Sequence, residues 1–336
     1  MNEKRHTDYS TKMSDLDFSY DHHFYPLDED LPDPQVDPII PGAKVAINKV
    51  GIGPVDLPIR VLRRNGQTQT LQAKASMYCS VDDPNAKGLN LSRVYLLMHD
   101  KCADHLTMEG IKGTLEEMAT KQGSDNAYIK LRFRYPWTQE ALRTRKPIVP
   151  GVETETLSNG EVISTDKMEG HIAYETTIEG RWHRHSDGSN EFKFFLTVDY
   201  VYSSTCPCSF ELARNATEKR DAAANAHSQR SVMKTTVQFD PDDLVYIEDL
   251  VDLHREHIPT EVQIVVKRRD EQAFAEINGS NLLFSEDAVR LMYAALDKWY
   301  EGGKISDFVI ATSHQESLHP WNAIAVIYKG IYNGLR

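Results

Sequence analysis

The chain has 336 residues, of which 40% are hydrophobic and 26% are charged, a composition typical of a globular protein with a sizeable core. Its formal net charge is −12 and its sequence pI is about 5.5. This charge argues against general binding to nucleic acid or to an anionic membrane, because both depend on an excess of lysine and arginine. A small anionic substrate remains compatible with the sequence if positive charge gathers locally at its site.

No stretch approaches ~18 consecutive apolar residues, so the sequence predicts no membrane-spanning helix. The first ten residues lack the apolar region of a secretory signal. The cysteines Cys79, Cys102, Cys206 and Cys208 are too few for a disulfide scaffold in a chain of this length. We therefore expect a reduced, cytoplasmic protein.

The first 41 residues are polar and contain runs of aspartate and proline, which predicts an extended or disordered arm. His22 and His23 lie in this arm, where a solvated tail is favoured over a metal site. The remaining chain is predicted to divide into a first module at 42–147, a connector at 148–170 and a second module at 171–336 that carries most site residues.

Alternating hydrophobicity predicts most of the regular structure in both modules. The predicted strands are 44–52, 57–63, 69–79, 128–135, 171–181, 192–202, 231–239, 261–267, 305–312 and 323–329. The predicted helices are 104–121, 241–257 with Asp240 as its cap, and 285–300 with Ser285 as its cap. Hairpins flanking long helices, repeated twice, indicate an α+β architecture of two similar halves with mostly antiparallel sheets and helices on one face.

The segment Cys206-Pro207-Cys208 is the first candidate for chemistry. On an extended backbone both sulfurs would lie on one face, and the proline would stiffen the end of the strand. Thiolates are soft ligands for zinc or a related transition metal. A C-x-C pair alone is more often two buried small side chains, so the surrounding residues must decide.

Further polar residues follow at predicted element ends and connectors, where rigid scaffolds often present functional groups. His227 precedes a strand, Arg268-Arg269-Asp270-Glu271 is placed at the end of another, and Glu286-Asp287 opens the last helix. Glu316-Ser317-Leu318-His319 lies between the last two strands. Thiolate, imidazole and carboxylate together form a ligand set that leaves an open coordination position for water.

The order of these motifs resembles that of GTP cyclohydrolase I type B. The motifs are CPCS at 206–209, A-H-x-Q-R-S at 226–231, R-x-D-E at 268–271, the Glu-Asp pair at 286–287 and E-S-L-H at 316–319. In the first module, Gly88-Leu89-Asn90-Leu91-Ser92-Arg93 is similar to the family's G-x-H-M-S-R, with asparagine in place of the histidine. The link between Cys206 and His227 is longer than is usual in the family.

The resemblance implies a tunnelling fold of two tandem ββααββ modules, assembled as a homo-oligomer (dimer or tetramer) with sites at subunit interfaces. It implies conversion of GTP and water to 7,8-dihydroneopterin triphosphate and formate, for folate or pterin biosynthesis. A divalent metal (Zn, Mn or Fe) would be held by Cys206, His227 and Glu271. Glu286 would bind the guanine edge, and His319, with Glu316 and Cys206, would complete the catalytic set.

These residue types suit that chemistry. A bound metal lowers the pKa of its water toward neutrality, and a nearby histidine titrates in the range needed to pass protons. A carboxylate can accept hydrogen bonds from N1–H and the 2-amino group of guanine, so adenine would be rejected. Arg230 is the preferred contact for the triphosphate, with Arg93 and the Lys267-Arg268-Arg269 cluster also available.

Three alternatives stay open. Relatives of the type B enzyme release a cyclic phosphate product, and a related nitrile reductase uses a cysteine nucleophile with NADPH, although no Gly-rich nicotinamide fingerprint is visible. The third hypothesis is a noncatalytic, metal-stabilised purine-binding module, in which loss of the metal would unfold the chain. Cys208 also remains an alternative ligand to Cys206.

Overall fold

The computed structural model describes residue 40, residues 42–102 and residues 107–330. The predicted N-terminal arm, with His22 and His23, therefore lies almost wholly outside the described residues, as do the Cys102 side chain and the start of the predicted helix at 104–121. The strands are β1 (Ile47–Leu62), β2 (Thr68–Val81), β3 (Asn126–Arg145), β4 (Thr154–Thr156), β5 (Val162–Ser164), β6 (Lys167–Arg184), β7 (Asn190–Thr205), β8 (Ser228–Phe239), β9 (Asp307–His314) and β10 (Ala323–Tyr328). The helices are α1 (Leu91–Cys102), α2 (Met108–Gln122), α3 (Pro207–Arg220), α4 (Ile247–His257), α5 (Arg268–Ser280) and α6 (Ser285–Glu301).

One eight-stranded sheet organises the described residues, in the order β1-β2-β3-β6-β7-β8-β9-β10. All of its neighbouring strands are antiparallel. Strand β3 shows how the sheet buries one face, because Leu131, Phe133 and Tyr135 are buried while Arg132 and Arg134 between them are exposed. The buried strand residues join those of the helices in one hydrophobic core, so the fold is α+β with a mostly antiparallel sheet, as the sequence predicted.

The strand order also relates the two halves of the sheet. The first half reads β1, β2, α1, α2, β3, β6, and the second reads β7, β8, α4, α5, α6, β9, β10, with α3 inserted between β7 and β8. Strands β3 and β6 pair with each other, and the small β4–β5 hairpin lies between them in the chain. Both the hairpin and the start of β6 at Lys167 fall within the predicted connector at 148–170. A ββααββ grouping would thus place β6 with the first half, whereas the predicted division begins the second module there.

The helix predicted from Pro241 begins later, at Ile247 after Tyr246. Asp240 does not cap it. Its carboxylate accepts a hydrogen bond from the Asp242 backbone N–H at 2.9 Å, and its carbonyl accepts one from the Asp243 N–H at 3.1 Å. Asp240 therefore forms a local turn, a competing use of a short polar side chain that its residue type alone does not distinguish from a helix cap.

The strand predicted at 261–267 is also wrong. Only a single bridge joins Glu261 to Tyr202, and helix α5 begins at Arg268, so the Arg268–Glu271 motif opens a helix rather than ending a strand. The buried carboxylate of Asp270 accepts hydrogen bonds from the backbone N–H groups of Arg143 at 2.7 Å and Thr144 at 3.0 Å. These contacts tie the start of α5 to the end of β3, a tertiary interaction that hydrophobic periodicity does not encode.

The surroundings of the Asp270 carboxylate shift its pKa. Burial would raise the pKa of Asp270, but hydrogen bonds from the Thr144 hydroxyl and from backbone N–H groups outweigh it and lower the pKa to about 2. Asp270 is therefore ionised at neutral pH and fixes the helix start.

Candidate active site

A cavity of about 610 Å³ opens at the end of the second half of the sheet, where β7, β8 and β9 carry polar residues. It is lined by Cys206, His227, Glu286, His314, Glu316 and His319, among others. The strand register explains the convergence, because Thr205 pairs with Ser228 and Ser231 pairs with His314, so the three strands finish side by side. Helix α6 joins them because the Leu283 N–H donates to the Thr205 carbonyl at 3.2 Å.

The Cys206-Pro207-Cys208 segment is not a strand end with both sulfurs on one face, as predicted. Cys206 is the residue before helix α3, Pro207 occupies the first helical turn, and Cys208 follows inside the helix. Proline suits this position because the first helical N–H groups have no partner within the helix. Cys206 is half-buried and Cys208 is exposed, and both line the cavity.

Helix α3 lies in the link between Cys206 and His227, whose length departs from the pattern of the resembled family. Its buried surface is small, since Ala216 is the one buried residue among those of the helix, and Leu212 lines the cavity while 71% exposed. Backbone contacts still hold the ends of the link together. The Cys206 N–H donates to the His227 carbonyl at 3.3 Å, and the His227 N–H donates to the Ser209 hydroxyl at 3.1 Å.

His227 belongs to a hydrogen-bonded group with Gln229 and Glu316. Its Nδ1–H donates to Gln229 Oε1 at 3.2 Å and lies 3.6 Å from Glu316 Oε2, while Gln229 Nε2 donates to Glu316 Oε1 at 3.2 Å. Because Nδ1 carries the proton, the neutral ring offers its Nε2 lone pair as a ligand. Metal-binding histidines are commonly oriented by such an acceptor on the other ring nitrogen.

Glu286 lies in the first turn of α6, at the wall of the cavity. Backbone hydrogen bonding within this turn, followed by a bond from the Ser285 hydroxyl at 2.9 Å, lowers the pKa of the Glu286 carboxyl. A helix N-terminus favours negative charge in the same way. The ionised carboxylate is therefore available to accept two hydrogen bonds from a ligand.

The β9–β10 connection supplies a further part of the cavity lining. Glu316 is half-buried against Gln229, whereas the exposed His319 ring stacks on Trp321 with centroids 4.2 Å apart and planes at 8°. The stack holds the imidazole at the mouth of the cavity while leaving its ring nitrogens open to water. An accessible histidine beside a half-buried carboxylate is suited to proton transfer.

Three predicted residues lie elsewhere. Glu271, exposed in the first turn of α5, lines a neighbouring cavity of about 640 Å³ between α3 and α5. Arg93 is exposed on α1, where its N–H bonds to the Asn90 side chain at 3.1 Å, and Arg230 is exposed on β8. Among the described residues, no group of three or more His, Cys, Asp or Glu side chains is close enough to hold a metal ion.

Two lining residues, His314 and Gln229, were missed by the sequence reasoning as functional positions. His314 ends strand β9, is 2% exposed, and its Nε2 lies 2.8 Å from the Tyr202 hydroxyl. Gln229 is the glutamine of the A-H-x-Q-R-S motif, whose position was quoted without a role. The available signal was position along the chain, since Gln229 lies at the start of β8 within a quoted motif and His314 ends β9 two residues before another.

The chain also matches a known protein family along most of its length. The family model described as type I GTP cyclohydrolase folE2 matches residues 31–162 and 151–325. The chain belongs to this family. The "GTP cyclohydrolase FolE2" of Dinoroseobacter shibae is 37% identical over 306 residues, covering 90% of this chain and 75% of that protein. The protein of the same name from Paracoccus denitrificans is 35% identical over 302 residues, covering 89% and 84%.

Solved structures with a related arrangement are urate oxidases. That of Bacillus sp. TB-90 gives a TM-score of 0.47 at 8% identity over 84% of this chain and 99% of the other, and that of Bacillus fastidious gives 0.46 at 11% over 84% and 92%. The family assignment therefore rests on the sequence matches. Among the described residues, no helix is long and apolar enough to cross a membrane.

Proposed function

We propose that this folE2-family chain hydrolyses GTP to 7,8-dihydroneopterin triphosphate and formate at the cavity lined by Cys206, His227, Glu286, Glu316 and His319. The observation that carries the proposal is this convergence, because five residues from four separate motifs line one space of about 610 Å³. Such a volume is in the range of small-molecule sites. The reaction consumes one water and releases C8 of the purine as formate.

Guanine recognition is assigned to Glu286. Its ionised carboxylate would accept hydrogen bonds from N1–H and the 2-amino group, and both bonds are charge-assisted. Adenine lacks both donors in that pattern, so it would leave the carboxylate unpaired. A site that hydrogen-bonds donors of its substrate discriminates against an analogue that lacks them.

Cys206 and His227 fit a divalent transition metal by donor chemistry. Both residues line the cavity, and their backbones are hydrogen-bonded to each other. The Nδ1–H of His227 is hydrogen-bonded to Gln229, which leaves the Nε2 lone pair as the metal ligand. We propose Glu271 as the third ligand by its place in the R-x-D-E motif, and its carboxylate would have to approach from the neighbouring cavity. A bound metal would supply Lewis-acid activation of water at this site.

Proton transfer is assigned to His319 and Glu316. The stacked imidazole of His319 would donate to the purine nitrogens as the ring opens, and Glu316 would hold His227 and Gln229 in place from the other side. Each positioned acid or base of this kind contributes roughly 10²–10⁴-fold to a rate.

We further propose that the protein assembles as a homo-oligomer. Strands β1 and β10 are the two edges of the described sheet, and β10 exposes Ile324, Val326 and Tyr328 on one face. Unpaired strand edges with apolar side chains favour pairing with another chain. Arg93 and Arg230, which lie outside the cavity, would then reach a triphosphate across a subunit boundary.

The deciding experiment measures formate and pterin fluorescence from GTP after chelation and re-addition of Zn²⁺, Mn²⁺ or Fe²⁺. We expect metal-dependent release of both products, and no formate with any metal would refute the cyclohydrolase assignment. Metal content and the thiolate charge-transfer band of the Co²⁺-substituted protein test the ligands independently of activity. Cys206→Ser and His227→Ala should lose the metal, whereas Cys79→Ser, at a buried cysteine away from the cavity, should retain it.

A further inference from the structure

The two ring nitrogens of His314 differ in their surroundings, because Nε2 has a hydrogen-bond partner in the core and Nδ1 has none among the described residues. Nε2 lies 2.8 Å from the hydroxyl of Tyr202, a fully buried residue, while His314 itself lines the cavity beside Glu286. Within the part of the chain that the structure describes, no protein group is hydrogen-bonded to Nδ1. The ring therefore has a protein partner on one side and a free polar atom for a ligand on the other.

The Tyr202 contact determines which nitrogen carries the proton. Burial raises the pKa of the Tyr202 hydroxyl, so it keeps its proton and can donate it. The described residues offer that hydroxyl no other acceptor, and buried donors are nearly always paired, so it donates to Nε2. A neutral imidazole whose Nε2 accepts must carry its hydrogen on Nδ1.

The ring is also uncharged under working conditions. Burial lowers the pKa of His314 from 6.5 to about 4, against a smaller opposing effect of the nearby Glu286 carboxylate. Both groups line the same cavity. The wall of the cavity thus presents a carboxylate that accepts and, beside it, a neutral N–H that donates.

We propose that His314 is a specificity residue, which donates a hydrogen bond from Nδ1 to the 6-oxo oxygen of guanine while Glu286 binds N1–H and the 2-amino group. This inference rests on the proposed function. The inference goes beyond that function because the Glu286 carboxylate alone accepts from two donors of guanine. Together, Glu286 and His314 would hydrogen-bond the acceptor and both donors of the guanine edge. Tyr202 is a positioning residue in this arrangement, since it sets the tautomer without touching the substrate.

The buried His254 provides a matched contrast. Its Nε2 accepts from the Thr235 hydroxyl at 2.8 Å, as His314 does from Tyr202, but its Nδ1–H donates to the Leu250 carbonyl at 2.5 Å. His254 also stacks on Tyr200, with centroids 4.9 Å apart. Both of its nitrogens are used inside the protein, so it has no hydrogen left for a ligand.

The test removes the donor from the protein and weakens the acceptor of the substrate. Dissociation constants are measured by calorimetry, with chelator present, for GTP and for 6-thio-GTP, which keeps N1–H and the 2-amino group but carries a weakly accepting sulfur in place of the 6-oxo oxygen. We expect the unmodified protein to prefer GTP by about tenfold or more. His314→Phe should weaken GTP binding by about that factor, leave the analogue unchanged and abolish the preference. His314→Gln, which keeps an N–H donor, should retain part of it.

His254→Phe is the control for loss of a buried imidazole, and it should not change the preference. Equal weakening of both nucleotides by His314→Phe, or an unmodified protein without preference, would overturn the assignment. If His314→Phe fails to fold, as judged by thermal unfolding, Tyr202→Phe gives the second test, because loss of the tautomer partner should reduce the preference in the same direction. Wild-type formate release from GTP, measured in parallel, tests the proposed function separately from these ratios.

Discussion

The two halves of the sheet share an order of elements but differ in what joins their strands. In the first half, β1 and β2 are joined by the turn at residues 63–67, closed by a backbone hydrogen bond from Arg63 N–H to the Gln67 carbonyl at 2.8 Å. The corresponding link in the second half, residues 206–227, contains helix α3 and begins and ends with Cys206 and His227. A similar pair of strands is thus joined by a tight turn in the first half and by a segment that lines a cavity in the second half. Functional residues of proteins commonly lie on such connections between rigid strands and helices.

The other pair of connections repeats the contrast. Between β3 and β6, Lys146 lies 3.8 Å from Asp166 and 3.7 Å from Glu169, so its charge is used in surface ion pairs. Between β9 and β10, Glu316 and His319 face the cavity. Polar residues at the first connection satisfy one another, whereas those at the second leave groups available to a substrate.

The largest expected effect tests that second contrast. We expect His319→Ala and Glu316→Gln each to lower kcat about 100-fold or more, because each removes a positioned proton-transfer or orienting group. Lys146→Ala, at the corresponding connection of the first half, should leave kcat unchanged. The rate of formate release is measured for the three variants. A comparable loss of rate in Lys146→Ala would contradict the proposal that only the β9–β10 connection contributes to catalysis.

Glu286→Gln should lower kcat/KM for GTP about 10- to 100-fold, since a charge-assisted pair of hydrogen bonds to guanine is replaced by weaker ones. Glu301→Gln, exposed at the other end of the same helix, is the matched control. Steady-state kinetics with GTP distinguish the two, and similar values for both variants would remove Glu286 from the guanine site.

A stability effect is expected where the first half touches the second. Glu248 on α4 is buried and accepts hydrogen bonds from the Tyr135 hydroxyl, from Arg63 Nε at 3.4 Å and from the Arg64 backbone N–H at 3.4 Å. Glu248→Gln should reduce the free energy of unfolding in urea by about 1–3 kcal/mol. The exposed Glu256→Gln on the same helix should not, and kcat of the folded Glu248 variant should stay near wild type.

The smallest effect concerns pH. Burial lowers the pKa of His254 from 6.5 to about 4, so between these values the unfolded chain binds a proton that the folded chain does not. Stability should therefore fall as the pH is lowered through this window, by about 1.4 kcal/mol per pH unit for this histidine. The free energy of unfolding in urea is measured across this pH range. Its dependence on pH should be weaker in His254→Phe than in the wild type and in His99→Gln, an exposed-histidine control. An unchanged pH dependence in His254→Phe would contradict the assignment.

Much of the fold could be predicted from local sequence. The alternation in Tyr128–Tyr135 and the spacing between Ser285 and Tyr300 predicted β3 and α6, because their buried residues repeat with the period of the element. The predicted cap of α6 was wrong by one residue, since Phe284 precedes the helix and Ser285 is its first residue. Helices α1, α3 and α5 were missed. Helix α3 is polar with one buried side chain, and α5 begins where buried Asp270 meets the end of β3, a contact between distant parts of the chain.

The candidate site divides in the same way. The sequence by itself determined the family and the chemical types at the site, because short motifs such as CPCS and E-S-L-H keep their order and residue identities along the chain. Only the tertiary structure brought Cys206, His227, Glu286, Glu316 and His319 to one cavity, placed Glu271 beside it, and added His314. The physical reason is that strand register and hydrogen bonds between distant segments decide which side chains meet. The contact between Tyr202 and His314, 112 residues apart in the chain, is one example.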